Sequence, residues 1–147
     1  RSLAYNGLGQ CERAIKGHDE AIRLDPEFDT AYRNRGDSYT DLEQYESAIA
    51  DYTEAIRLNA GYVDPYINRG NARLNLEQHD LAIADYTEAI RLNPQHPYVP
   101  LAYASRAMSY TLLGNDPEAH QDIGRAVELG YDPRLLLRAI DKLKDQR

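Results

Sequence analysis

Sliding the 147-residue sequence along itself by 34 positions sets residues 29–62 on residues 63–96 with 19 identities in 34. They include Tyr32/Tyr66, Asn34-Arg35-Gly36/Asn68-Arg69-Gly70 and the whole of Ala48–Asn59 against Ala82–Asn93. A period of this length makes each copy one supersecondary unit that cannot bury its apolar face alone, so the fold must be a stack of such units. Upstream, Cys11 to Pro26 falls in the same register, 34 before Tyr45 to Ala60. Downstream the register returns at 37, matching Tyr66 to Tyr103, Arg69 to Arg106, Ala82 to Ala119, Asp85 to Asp122 and Ala89 to Ala126. The three added residues fall near His96–Pro100, where two prolines stop a helix from running through. The expected organisation is a truncated repeat over 1–28, repeats over 29–62 and 63–96, a linker insertion at 97–99, a fourth repeat over 100–132 and a capping helix over 133–147.

Each unit reads as two helices. Ala31, Tyr32, Tyr39 and Leu42 recur at helical spacing, as do Ala48, Ile49, Tyr52, Ala55, Ile56 and Leu58, with a short polar joint between the two sets. Asp64-Pro65, Asp116-Pro117 and Asp132-Pro133 each offer a capping carboxylate before a proline at the first helical position. Gly61, Gly114 and Gly130 stand where the chain leaves a helix. Gly36, Gly70 and Ala107 on the first helices, and Ala48, Ala82 and Ala119 on the second, admit close helix approach; a larger residue there costs about 1–3 kcal/mol by overpacking. Leu135, Leu136, Leu137, Ala139, Ile140 and Leu143 alternate with Arg134, Arg138, Lys142 and Lys144. That is one amphipathic helix placed to cover the last unit.

A 34-residue helix-turn-helix with Tyr32, Gly36, Tyr39, Leu42, Tyr45, Ala48, Tyr52 and Ala55 in one unit, and Tyr66, Gly70, Leu76, Ala82, Tyr86, Ala89 and Pro94 in the next, resembles the tetratricopeptide repeat. The likeness covers all but the tail. It departs at Arg73, where the family favours an aromatic, at Ala60 in place of the proline kept as Pro26 and Pro94, and at Asp116 and Ile123 in aromatic slots of the fourth unit. The resemblance implies an all-α fold, an α-α superhelix of antiparallel helical hairpins, whose first helices line a concave groove. Arg1 to Leu8 supplies only part of a first helix, so further residues or repeats are expected before Arg1.

Composition narrows the function. Lys and Arg number 17 against 24 Asp and Glu, a net charge of −7. A chain that acidic lacks the basic face needed to displace counterions from nucleic acid. One cysteine excludes an intrachain disulfide and leaves a reducing, cytoplasmic setting as the default, with an exported or membrane-anchored longer form still open. Mean hydropathy is −0.69, and no apolar run reaches a membrane span.

Chemistry finds no foothold in the residues. Cys11 and His18 are seven apart on one helix, a spacing a thiol-imidazole pair could use. Their register partners are Tyr45 and Tyr52, which makes them core fillers. His79 also stands in for Tyr45, His96 lies in a linker, and His120 has no second ligand at i, i+4. No phosphate loop or nucleophile elbow occurs. No cofactor is expected, and the chain reads as noncatalytic. Arg35/Asp51, Arg69/Asp85 and Arg106/Asp122 each stand 16 apart, one on each helix of a unit. They read as structural ion pairs in which a carboxylate clamps the guanidinium fork.

Function then falls to groove positions that the fold does not consume. By register these include Arg33, Asn34, Asp37, Asp41, Asp64, Ile67, Asn68, Asn71, Asn75, Leu101, Ser105, Met108 and Leu112, with Leu3 and Asn6 in the first unit. Asn34 and Asn68 are register equivalents whose amides can both donate to and accept from an extended main chain. They are similar to the asparagine ladder of the repeat domain of O-linked N-acetylglucosamine transferase, with Ser105 as the last rung. The basic clamp that some members use for chaperone C-termini does not fit: Asp37, Leu101 and Ser105 fall where Asn, Lys and Arg are required. The expected partner is a neutral or basic protein or peptide with an apolar anchor. The alternatives are self-association through the open N-terminal face, or service as the targeting arm of a larger protein.

Overall fold

The structure, a computed structural model, describes residues 2–147, with side chains from residue 7 onward. Leu3, Tyr5 and Asn6 therefore lie outside the described side chains. Among the described residues there are eight helices and no strand: α1 (Ser2–Leu24), α2 (Asp29–Asp41), α3 (Tyr45–Leu58), α4 (Val63–Asn75), α5 (His79–Leu92), α6 (Val99–Leu112), α7 (Asp116–Glu128) and α8 (Pro133–Lys144). The chain forms two compact units, residues 1–72 and 73–147.

In the first unit α2 packs against both α1 and α3. The small slots do this work. Ala48 and Ala55 are fully buried, and Tyr52 packs against Gly36, where an added Cβ would stand 2.7 Å from its ring. In the second unit α6 packs on α5, α7 and α8. Its core joins Ala104, Ala107, Ala126, Leu136 and Ile140, with Tyr103, Met108, Ile123 and Tyr131 against them. Burying Leu136 and Ile140 contributes about 1.5–3 kcal/mol each, which is what fastens α8. In repeat register α8 corresponds to a first helix, since it begins 34 residues after α6. Asp141 stands in the slot of Gly36, Gly70 and Ala107 and is exposed, so α8 lacks the small residue that admits a companion helix.

The turns inside the hairpins share one geometry. The N–H of Gln44 reaches back to the Tyr39 carbonyl, that of Gln78 to Arg73 and that of Asn115 to Tyr110, each at 2.8 Å, closing a Schellman-type cap. The residue before each takes a left-handed conformation: Glu43 at φ 57°, Glu77 at 59° and Gly114 at 78°. Gly114 and Gly130 have the expected positive φ, whereas Gly61 does not.

Three local expectations are corrected. Asp132 caps α8, accepting the Arg134 N–H at 2.9 Å, but Asp64 and Asp116 lie within the first turns of α4 and α7. Asp116 instead accepts both guanidinium nitrogens of Arg147, at 2.6 and 3.0 Å, tying the end of α8 to the start of α7. The truncated first unit shows no joint: α1 runs unbroken through Leu8-Gly9-Gln10, the register equivalent of Leu42-Glu43-Gln44.

Candidate peptide-binding site

The repeated arginines hold the hairpins. Arg35 meets Asp51 with two bonds of 2.8 and 2.7 Å, and Arg106 meets Asp122 with bonds of 2.7 and 2.6 Å. The third nitrogen of each fork reaches back to the preceding hairpin: Arg35 to Asp19 at 2.8 Å, Arg69 to Thr53 at 3.1 Å and Arg106 to Thr87 at 2.9 Å. Asp19, Thr53 and Thr87 share one register position, so a single side chain ties its own hairpin and the one before it. Each Arg also lies over the ring of the Tyr three residues upstream, at 5.4–5.8 Å. The Asp51 bonds raise the pKa of Arg35 further. Arg69 and Asp85 belong to different units. Within its own unit Asp85 accepts from Arg73 at 2.8 Å.

In the first unit the first-helix face converges on Asp37. Its carboxylate accepts from the Tyr52 hydroxyl at 2.7 Å, from Arg33 Nη1 at 2.9 Å and from the Asn68 amide at 3.1 Å. Arg33 is further held by the Tyr62 hydroxyl at 3.0 Å. Burial pushes the Asp37 carboxyl above its ordinary value, opposed by the Tyr52 and Arg33 contacts. Burial likewise raises the Tyr52 phenol. Asp37, Thr40, Asp41, Tyr52, Asn68 and Asn71 line a hollow of about 150 Å³. Asp41 is exposed and lies 4.0 Å from the Cys11 sulfur; Asn34 and Asp64 are half-buried.

In the second unit the corresponding face is apolar. Leu74, Met108, Leu112 and Leu143, with Asn75, Glu77, His79 and Gln146 around them, line a hollow of about 300 Å³. That is the lower end of the range for ligand pockets and suits one or two side chains. Leu101 is exposed at 38 %. Ile67 and Ser105 do not reach the surface expected of them. Ile67 is 2 % exposed and Ser105 6 %, the latter hydrogen-bonded to the buried Tyr86. Tyr52, Thr40 and Leu143 belong to these hollows, although periodicity marks Tyr52 as core and the tail as a cover. The one sequence signal for Tyr52 is the acid at position 37, which faces Asn71 and Met108 in register. Among the described residues no three His, Cys, Asp or Glu are grouped as a metal site requires, and no helix is long and apolar enough to cross a membrane.

Comparison with known proteins agrees with the repeat geometry. The family model described as TPR repeat matches residues 36–77, and the one described as Tetratricopeptide repeat matches residues 63–96. No curated protein sequence matches the chain. Among solved structures, the MamA protein is 28 % identical with a TM-score of 0.75, over 84 % of this chain and 66 % of that one, so this chain spans just under two thirds of its length. The Arabidopsis OM64 TPR domain is 33 % identical with a TM-score of 0.61, over 69 % of this chain and 83 % of that one. The first TPR of Spaghetti (RPAP3), bound to the HSP90 peptide SRMEEVD, is 26 % identical with a TM-score of 0.68, over 75 % and 85 %. With its repeated hairpins, its buried small slots and these matches, the chain belongs to the tetratricopeptide repeat family, with that family's all-α solenoid fold.

Proposed function

We propose that the chain is a noncatalytic protein-interaction module that holds an extended peptide segment of a partner on its first-helix face. The partner segment is neutral or basic and carries an apolar anchor. The observation that carries this reading is the pair of unlike hollows: a polar one around Asp37 and Asp41, and an apolar one around Met108 and Leu112. The acid is concentrated accordingly, with 8 basic against 13 acidic residues in the first unit and 9 against 11 in the second. Asn34, Asn68, Asn71 and Asn75 would engage the peptide main chain, while Leu101, Met108 and Leu112 would receive the anchor.

Two structural neighbours carry the peptides SRMEEVD and SGPTIEEVD. Acidic tails of that kind are poor candidates here. Arg33 on this face is already engaged by Asp37 and Tyr62, and the register slots at Leu101 and Ser105 carry no charge. Fluorescence anisotropy with labelled peptides tests the reading. Peptides combining Lys or Arg with Leu or Met should bind, weakly to moderately because an extended segment loses entropy on ordering. Peptides ending in EEVD should not. The Asn34→Ala/Asn68→Ala variant should weaken binding while keeping its helical circular dichroism. Equal binding of acidic and basic peptides, or unchanged affinity in that variant, would remove the basis for the assignment.

A further inference from the structure

Each arginine from Arg23 to Arg125 is held by an acid or a hydroxyl. Arg138 and Lys142 on α8 are not: both are exposed, and among the described residues neither side chain has a hydrogen-bond or ion-pair partner. With Leu135, which is 61 % exposed, and the small Ala139 they line a hollow in the second unit that Asp141 and Asp145 bound. By register Lys142 holds the slot of Asp37, Asn71 and Met108, and Leu135 that of Leu101. Helix α8 thus continues the series of first helices with the charge at one slot turned from acid to base. With about 3.6 residues per turn, the order around α8 is Asp141, Asp145, Arg138, Lys142, Gln146 and Leu143. Gln146 and Leu143 wall the apolar hollow that also holds Met108 and Leu112. The cations therefore stand between the acids and that hollow, with Lys142 next to its rim. One turn separates Lys142 from Gln146, which puts their Cβ atoms about 5–6 Å apart.

We propose that the segment received by the apolar hollow carries, about two or three residues from its anchor, an acidic side chain that pairs with Lys142 and Arg138. This pairing rests on the peptide-binding reading above and adds one position-specific charge to it. An extended chain advances about 3.3 Å per residue, so two or three residues span about 7–10 Å, enough to pass from the anchor over the rim to Lys142. Charge complementarity names the occupant. A carboxylate at this place meets two exposed cations, whereas elsewhere it meets a chain of net charge −7. One acid is the limit. A tail such as EEVD brings several carboxylates together, of which the cations take one and leave the others facing Asp141 and Asp145, so the exclusion of such tails stands.

Walking one glutamate along a peptide tests the position. Labelled peptides share a lysine-containing half and one leucine anchor, and differ in whether Glu, Gln or Lys stands at a given distance from the leucine, on the side away from the lysines. In fluorescence anisotropy, Glu at two or three residues should bind about two- to fivefold tighter than Gln there, the range of exposed ion pairs. At other distances it should gain nothing. The gain should fade in about 1 M salt, where the screening length is about 3 Å. In Arg138→Glu/Lys142→Glu the order should invert, with Lys preferred to Glu at the same position, and circular dichroism checks that this variant keeps its helices. Lys142→Gln, a milder change, should remove part of the gain. If the Gln peptides bind but Glu gains nothing at any distance, or gains equally in the charge-reversed variant, the pairing is overturned while the groove reading stands. If no peptide of the series binds, the groove reading itself has failed and takes the pairing with it.

Discussion

Gly36→Ala isolates the close approach on which the hairpins depend. The added methyl would lie 2.7, 2.9 and 3.1 Å from three atoms of the Tyr52 ring, against about 3.5–4.0 Å for carbon atoms in good contact. The ring has nowhere to go: Tyr52 is 1 % exposed, and its hydroxyl is tied to Asp37 at 2.7 Å and lies 3.0 Å from that of Thr40. Overpacking costs about 1–3 kcal/mol, and weakening a hydrogen bond to a charged group adds to it. Replacing a helical glycine by alanine returns about 0.5–1 kcal/mol. The net loss should be about 1–3 kcal/mol. With an unfolding entropy of about 2.1 cal/mol/K per residue, this lowers Tm by about 3–10 °C. Thermal unfolding followed by circular dichroism measures it, with Gly124→Ala as the control. A Cβ at Gly124 meets nothing within 4 Å, so that variant should gain about 0.5–1 kcal/mol. In a Tyr52→Leu background the cost of Gly36→Ala should shrink, because the two sites then no longer couple through the ring. A Gly36→Ala chain as stable as the parent, or an equal cost in both backgrounds, would refute this account of the slot.

Three other perturbations follow from named contacts. Asp122→Ala strands the largely buried Arg106 guanidinium and should cost about 3–5 kcal/mol in urea unfolding, far more than loss of the exposed Glu128 partner of Arg125. Glu43→Gly relieves a left-handed glutamate at φ 57° and should raise stability by about 0.5–1 kcal/mol, the strain removed slightly exceeding the entropy that glycine adds to the unfolded chain. Asp37 should titrate above 3.8 in carboxylate NMR shifts. Its folded pKa is raised, so its contribution to stability is complete below the unfolded value and is lost as pH rises through the folded one. Asp37→Asn should flatten that part of the pH–stability curve.

The bonds that repeat were legible in the sequence, and those that do not were hidden. The Arg35/Asp51 and Arg106/Asp122 clamps could be read from spacing because identical residues at identical offsets can only be doing one job. The tie of Asp37 to Tyr52, Asn68 and Arg33 could not be read this way, because position 37 is Asp in one repeat, Asn in the next and Met in the fourth. Tyrosine hydroxyls illustrate the same division. Those of Tyr32 and Tyr66 reach the loop carbonyls of Pro26 and Ala60, whereas that of Tyr52 turns to a carboxylate on the first-helix face. Ile67 and Ser105 were assigned to that face by register alone, which gives the direction of a side chain but not the depth at which its neighbours enclose it.

By itself the sequence determined the period, the helical hairpin as the unit, the small residues at helix crossings and the excess of acid. Each is a property of spacing or composition and survives any detail of packing. Tertiary structure alone decided which acid is buried, how the tail helix comes to wall an apolar hollow through Leu143, and that α1 stays straight where its sequence spells a turn. These outcomes depend on what else lies within a few ångströms of each side chain, which spacing and composition do not fix.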